Sequence, residues 1–312
     1  MPCSSAPAIL CAGIAVQDLV MRVPGFPPPA GKVMAEDFIT VAGGCALNAA
    51  IAVARLGGRT HYAGPMGDAS DPVSTWLCGE LAREGIDTAG VVRVPGAKCA
   101  VSAILIDARG ERMIATYREA RVEAALPRDP DALLAGIDLV LADNRYPDFV
   151  RPICQAARRR GIPVVLDADR PTVEDDPLFG IATHVIFSGE CLRETTGETD
   201  LAAGLMRMDQ ELKRMVSGPR AFLSVTDGPG PVRYLAGGAV RELPAFKIDA
   251  VDTLAAGDVF HAGFALALAE GRDEVAALHF GAAAAGLKCT RFGGSMGAPK
   301  RDEVEAFLAK HG

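Results

Sequence analysis

The sequence predicts an α/β fold, a three-layer αβα sandwich with a mostly parallel central sheet and a small accessory β-sheet. Three observations support it. From Asp138 onward, short apolar runs alternate with helical segments, as expected for a parallel sheet covered on both faces. Cys99–Asp107 and Arg112–Arg118 flank Ala-Arg-Gly-Glu, a hairpin signal that interrupts the alternation. The chain has 312 residues, 49% of them hydrophobic, which is enough for one large domain spanning 1–312.

Taken in order, Ile9–Val16 is a short apolar strand running into Gln17-Asp18. The Pro-rich segment 24–29 is a loop, and Lys32–Val41 carries enough β-formers for a second, more exposed strand. After Ala42-Gly-Gly-Cys-Ala-Leu-Asn48, the small residues of Ala49–Leu56 make a helix stopped by Gly57-Gly58. His61–Pro65 reads as a strand and Pro72–Glu84 as an amphipathic helix ended by Gly85. Lys32–Val41 and the hairpin are expected to form a sheet standing off the main body, from insertions at about 17–41 and 98–119. Then follow strand Leu139–Ala142, helix Phe149–Arg160, and strands Val164–Asp167 and His184–Phe187. Helices Glu190–Thr195 and Leu201–Met215 precede strand Ala221–Val225. Val232–Leu235 and Val240–Leu243 flank Ala-Gly-Gly as a second hairpin. The last helices are read at Ala256–Glu270, Glu274–Leu287 and Asp302–Lys310.

Composition excludes several classes. The formal net charge is −7, and no basic run or basic-aromatic interleaving points to nucleic acid. The eight cysteines (3, 11, 45, 78, 99, 154, 191 and 289) are scattered with no Cys-x-x-Cys, a pattern of reduced thiols in a cytoplasmic protein. The five His are not paired at zinc-ligand spacing. Ala8–Val16 is too short for a membrane span and lacks a basic region before it. No P-loop pattern occurs, and Gly228-Pro-Gly230 lacks the third glycine of a dinucleotide fingerprint.

Chemistry concentrates in Val251–Phe264, Val-Asp-Thr-Leu-Ala-Ala-Gly-Asp-Val-Phe-His-Ala-Gly-Phe. Ala255, Ala256 and Gly257 have almost no side chain, so the backbone N–H groups at the start of a helix lie open to an anion. Asp258 falls in the first helical turn, where a carboxylate beside a phosphate site is a candidate base for a hydroxyl nucleophile. Taken alone, the stretch is equally a plain helix start with Asp at a favoured position. A second element is Gly43-Gly44 with Asn48 one helical turn on, glycines that let backbone approach a ligand closely. Polar residues at strand ends, where open α/β sheets bind ligands, are Asp18, Asp143-Asn144-Arg145, Asp167, Asp169, Ser188-Gly189-Glu190 and Thr226-Asp227-Gly228.

The segment Asp252-Thr-x-x-Ala-Gly-Asp258-x-Phe resembles the C-terminal signature of the ribokinase-like (PfkB) carbohydrate kinases, and Gly43-Gly-x-x-x-Asn48 resembles their N-terminal signature. Many members have Gly where this chain has Ala255. The resemblance spans the whole chain and implies an ATP-dependent sugar kinase with a ribokinase-like fold. It implies that Asp258 is the catalytic base and that Ala255, Ala256 and Gly257 form the anion hole. Asp18, Gly43, Gly44, Asn48, Asp143 and Arg145 would orient the sugar. Thr226 and Gly228 match the family's strand-end Thr-x-Gly near the ATP phosphates, with Ser188 nearby. Mg2+ would accompany the nucleotide. Ser188 and Cys191 stand where many relatives have the Asn and Glu of a phosphate and magnesium motif, so that either Glu190 partly substitutes or magnesium is held through water and phosphate, and no metal ligand is assigned. A K+ site near Asp252 and the loop Arg291–Ser295 is also implied, as is a homodimer through the accessory sheet, which would act as a lid.

Val140–Arg145, Val165–Asp169, Pro244–Phe264 and Leu287–Gly294 look most like the ketohexokinase and 6-deoxy-6-sulfofructose kinase branch. Lys32 and Arg145 match two sulfonate-contacting positions of the latter. The third is Thr116 here in place of Asn, and Asn48 is the ordinary family residue. The resemblance therefore implies a ketose-type substrate, a neutral ketohexose ahead of a sugar with an anionic 6-substituent. Two alternatives stay open: a non-catalytic sugar- or nucleotide-binding regulator, and a nucleoside kinase, although aromatics form only 5% of the chain.

Overall fold

The computed structural model describes residues 6–311, so Cys3 lies outside the described residues. Thirteen strands are found among the described residues: β1 (Ala8–Ala12), β2 (Val16–Arg22), β3 (Asp37–Gly43), β4 (Arg59–Met66), β5 (Asp87–Arg93), β6 (Ala100–Ile106), β7 (Arg112–Tyr117), β8 (Leu139–Asp143), β9 (Val164–Ala168), β10 (His184–Ser188), β11 (Phe222–Thr226), β12 (Val232–Ala236) and β13 (Ala239–Leu243). The helices are α1 (Cys45–Arg55), α2 (Pro72–Arg83), α3 (Ala120–Glu123), α4 (Pro147–Arg159), α5 (Pro177–Ile181), α6 (Gly189–Thr196), α7 (Leu201–Met215), α8 (Ala256–Ala269), α9 (Glu274–Cys289) and α10 (Arg301–His311).

Nine strands form the central sheet in the order β13-β12-β11-β10-β9-β8-β1-β4-β5. From β5 to β11 every neighbour pair is parallel, and the terminal hairpin β12–β13 adds the antiparallel pairs. Period-2 alternation splits the core cleanly. Ile9, Cys11, Leu139 and Leu141 point to the face covered by α1, α8 and α9. Leu10, Ala12, Val140 and Ala142 point to the face covered by α4, α6 and α7. The three-layer expectation holds.

A second sheet has the order β3-β2-β6-β7, with β2 and β6 parallel and both edges antiparallel. Its inner face carries Val20, Val41, Ile104 and Ile106, packed on Leu254 just before α8. The apolar packing thus ties this sheet to the turn that opens α8.

Three sequence-based expectations differ from the structure. The first strand stops at Ala12 and β2 begins at Val16, because Gly13 turns the backbone at φ 147°. Any Cβ at Gly13 would collide with the Asp143 carboxylate. Asp18 therefore sits inside β2 of the second sheet, not after the first strand. Strand β3 starts only at Asp37, leaving Lys32 on the exposed loop before it. The strand β5, without an apolar stripe, escapes sequence patterning; none of its seven residues is fully buried.

Helix α8 is buried continuously from Val259 to Ala267, as an all-round apolar helix must be. It can lie so close to α9 because glycines meet at the crossing. A Cβ on Gly281 would come within 2.7 Å of the Phe260 carbonyl oxygen, and one on Gly263 within 2.9 Å of the Gly281 Cα. Both obstacles are backbone and cannot swing aside. Gly281→Ala is expected to lower stability by about 1–3 kcal/mol, the usual effect of overpacking, read as a reduced urea midpoint with an unchanged slope.

Candidate active site

The carboxyl ends of the parallel strands and the N-termini of α1 and α8 converge on one acidic cleft. Asp258 lies in the first turn of α8, and its carboxylate accepts a hydrogen bond from Asn48 Nδ2 at 2.7 Å. Asn48 is buried, and its Oδ1 has no hydrogen-bond partner. A buried amide oxygen left open in this way is a position for a donor from a ligand. Cys45 Sγ, an Asp167 oxygen and an Asp258 oxygen lie within 4.8 Å of one another.

Burial, then Asp167 and Asp143, push the Asp258 carboxyl up to about 7, with Asn48 and Arg145 opposing. Burial likewise raises Asp167, against the pull of His261 and Arg145. His261 stands 3.4 Å from Asp167 and also meets the Gly257 carbonyl oxygen at 2.7 Å. It therefore links the strand-end carboxylate to the first turn of α8. His261 and Asp167 are buried together.

Asp143 behaves differently from a free sugar ligand. It is buried, and its oxygens accept backbone N–H bonds from Ile14 at 2.8 Å, Ala46 at 3.1 Å and Arg145 at 2.9 Å. It pins the β1–β2 link, the start of α1 and the end of β8. Burial raises its carboxyl to about 6 despite those donors. Arg145 is paired with Asp169.

Asp18 is buried on the inner face of the second sheet, and burial raises it to about 6, partly offset by Ser102. Register explains the rest of that row: Asp18 faces Ser102, and Ser102 faces Thr116, whose hydroxyl lies 3.1 Å from that of Ser102. Gly43 leaves the space that the Asp18 carboxylate fills, and a Cβ on Gly44, at φ 91°, would come within 2.6 Å of the Ile14 carbonyl oxygen. The exposed Lys32 joins none of these contacts.

The turn before α8 has the expected bare backbone, with one change. The Ala256 N–H bonds to the Thr253 carbonyl oxygen at 3.2 Å, so it is closed to a ligand. The N–H groups of Ala255 and Gly257 have no such partner among the described residues. Nothing lies within 4 Å of a Cβ built on Gly257, so that side of the helix start faces open space. Asp252 anchors the turn from below. Its carboxylate accepts from Leu254 N at 2.8 Å, Gly293 N at 3.0 Å and Gly294 N at 3.1 Å.

At the other end of the cleft, Thr226 is the register partner of Ser188 and Gly228 turns the chain at φ 55°. Ser188 caps α6 by accepting the Cys191 N–H, Cys191 is buried, and Glu190 is exposed. These residues build no metal cage. The Cys45–Asp167–Asp258 group does not suit magnesium either, since burial and the adjacent carboxylates hold the Cys45 thiol well above its usual range. Asp167, expected only as a strand-end carboxylate, joins the candidate site, and His261, Gly13 and Ser102 complete it beyond the expected residues. Asp167 and His261 carry a sequence signal, as a strand-end Asp and the His one turn past Asp258. Ser102 has none.

A model of pfkB family carbohydrate kinases matches residues 6–301. The ribokinase of Bacillus subtilis is 30% identical over 304 residues, covering 96% of this chain and 99% of that protein. An Agrobacterium tumefaciens protein provisionally described as a ribokinase has a crystal structure that matches with TM-score 0.91 and 36% identity over 98% of both chains. Fructokinase of Xylella fastidiosa with bound ATP matches with TM-score 0.76 and 28% identity, over 97% of this chain and 98% of that one. The chain belongs to the pfkB family of carbohydrate kinases, phosphotransferases with an alcohol group as acceptor.

The backbone at Ala255 is one that favours glycine. Ala255 has φ 62°, in the left-handed region, which is unfavourable by roughly 1–2 kcal/mol for a residue with a Cβ. Ala255→Gly is expected to hold or raise stability, by up to about 1 kcal/mol after the entropy of the freer unfolded chain is counted. Thermal melting reads this directly.

Proposed function

We propose that this chain is an ATP-dependent kinase transferring the γ-phosphoryl group to a hydroxyl of a neutral, ketose-type sugar. The observation that carries this reading is Asp258, held by Asn48 beside the bare N–H groups at the start of α8. The fructokinase with bound ATP among the relatives supports the choice of nucleotide.

In this mechanism the sugar lies between Asp18 and Asn48, on the backbone of Gly43 and Gly44. Asp18 accepts hydrogen bonds from its hydroxyls, and the open Asn48 Oδ1 accepts another. Arg145, held by Asp169, donates to the far end of the sugar. Asp258, with a pKa of about 7, takes the proton of the attacking hydroxyl, a task suited to a base poised near the working pH. The N–H groups of Ala255 and Gly257 and the positive end of α8 stabilise charge on the transferring phosphoryl. Thr226, Gly228 and Ser188 border the nucleotide. Magnesium bound with the nucleotide would neutralise phosphate charge. Glu190 is the exposed carboxylate at that end.

Charge favours a neutral sugar. Asp18 and Asp258 bring carboxylates to the cleft, Asp143 and Asp167 stand buried behind it, and Arg145 is already matched by Asp169. An anionic 6-substituent such as a sulfonate would meet a surplus of carboxylates, and Lys32 is too exposed on its loop to offset them. The ketose preference itself rests on the segments Val140–Arg145 and Pro244–Phe264. The second sheet acts as a lid that carries Asp18 onto the sugar and excludes water. Its outer face exposes Phe38, Met113 and Tyr117, each about half exposed, and a second copy of the chain covers them in the homodimer we propose.

The test is ADP release from ATP with fructose, tagatose, ribose, 6-deoxy-6-sulfofructose and adenosine, with Asp258→Asn in parallel. Turnover is expected to be fastest on a neutral ketose. The variant should lose on the order of 10²–10⁴ in kcat. The wild-type kcat/KM should rise with pH through an acid limb near 7, because the base must lose its proton to act. Ligand-induced thermal shifts with no turnover would point to a binding protein, and a preference for adenosine to a nucleoside kinase.

A further inference from the structure

Lys288 is the only lysine or arginine with no exposed surface at all among the described residues. It sits near the end of α9, after a run of Ala, Gly and Leu from Gly281 to Leu287. Its ammonium donates to the Asp252 carbonyl oxygen at 2.7 Å and lies 3.1 Å from the Asp252 carboxylate. Burial lowers Lys288 while Asp252 opposes that shift. Burial also works against the Asp252 carboxylate, yet Lys288 and the backbone N–H groups of Leu254 and Gly294 hold it below its ordinary range.

This arrangement does not fit the K+ ion implied near Asp252. A monovalent cation there needs carbonyl and carboxylate oxygens turned toward it. The Asp252 oxygens instead face a fixed cation and three N–H donors. A second positive charge beside the ammonium would be repelled. The ammonium touches the segment that sets the α8 turn: Asp252 bonds Leu254, and Ala255 is the N-cap of α8.

We propose that Lys288 is a built-in cation that takes the place of a monovalent metal ion in positioning the α8 anion turn, so that the enzyme works without K+. Lys288 acts through Asp252 and is a positioning residue. The inference rests on the kinase reading above.

The test compares wild type and Lys288→Ala in ATP–Mg2+ assays and in thermal melts, with tetramethylammonium, Na+, K+ or NH4+ chloride at matched ionic strength. Wild type should turn over equally in all four salts and show no K+-specific rise in melting temperature. Lys288→Ala should lose at least about tenfold in kcat without K+, as expected for loss of charge-assisted hydrogen bonds. K+ or NH4+, but not tetramethylammonium, should restore part of that loss and raise the variant's melting temperature. Lys288→Met, which fills the space without a charge, should stay low in every salt. Several-fold activation or K+-specific stabilisation of the wild type would overturn the proposal, as would full activity of Lys288→Ala without K+. If the variants do not fold, the wild-type comparison decides alone. Absence of turnover in every salt with every sugar would count against the kinase reading, and the wild-type melts would still test the cation.

Discussion

The structure depends on one constraint: the first turn of α8 must stay bare and open while the rest of that helix is sealed in the core. From Val259 to Ala267 every residue is buried, so the helix cannot shift to accommodate a ligand. Gly263 and Gly281 let α9 clamp it from one side. Leu254, just before it, is fixed in the apolar face of the second sheet. Asp252 ties the lead-in to the Gly293-Gly294 loop. A helix N-terminus held in this way presents N–H donors with little reorganisation, the condition for strong electrostatic stabilisation of a developing charge.

The cleft around that turn is unusually acidic. Four strand-end and helix-start carboxylates, Asp143, Asp167, Asp169 and Asp258, crowd around it, together with Asp18 from within β2. Most are raised by burial, and Asp258 is raised further by Asp167 and Asp143. A shift of one pKa unit corresponds to about 1.4 kcal/mol between the two protonation states, so this clustering is unfavourable for the empty protein. Such local conflict is expected where function, not folding, selects the residues. The Asn48 Oδ1, left open, is a second conflict of the same kind.

The central sheet is legible in the sequence because each buried parallel strand is a short apolar run between turn signals. Strand β2 is not, since Ile9–Val16 reads as one apolar stretch and the break at Gly13 is set by Asp143, about 130 residues away in the chain. Strand β5 lies at the sheet edge and lacks a buried stripe. Around the site, Gly43, Gly44, Asn48, Thr253–Gly257 and Asp258 announce themselves as small-residue turns before helices. Their meeting across 210 residues is visible only through the paired family signatures and the fold. Lys32 misleads, because a β-rich run hides the exposed loop from which it hangs. Lys288 leaves a plain trace, a single charge after a long run of small apolar residues, whose partner only the fold supplies.

The most direct measurement of the central claim is Gly257→Ala, with melting temperature and kcat read on the same preparation. The fold has room for the methyl group, and alanine is the better helix former by up to about 1 kcal/mol. If the bare N-terminus of α8 receives the phosphoryl group, the melting temperature stays unchanged or rises while kcat falls by a large factor, because the methyl group stands where the phosphoryl group must meet the helix N-terminus. Wild-type kcat in a variant of normal stability would contradict it.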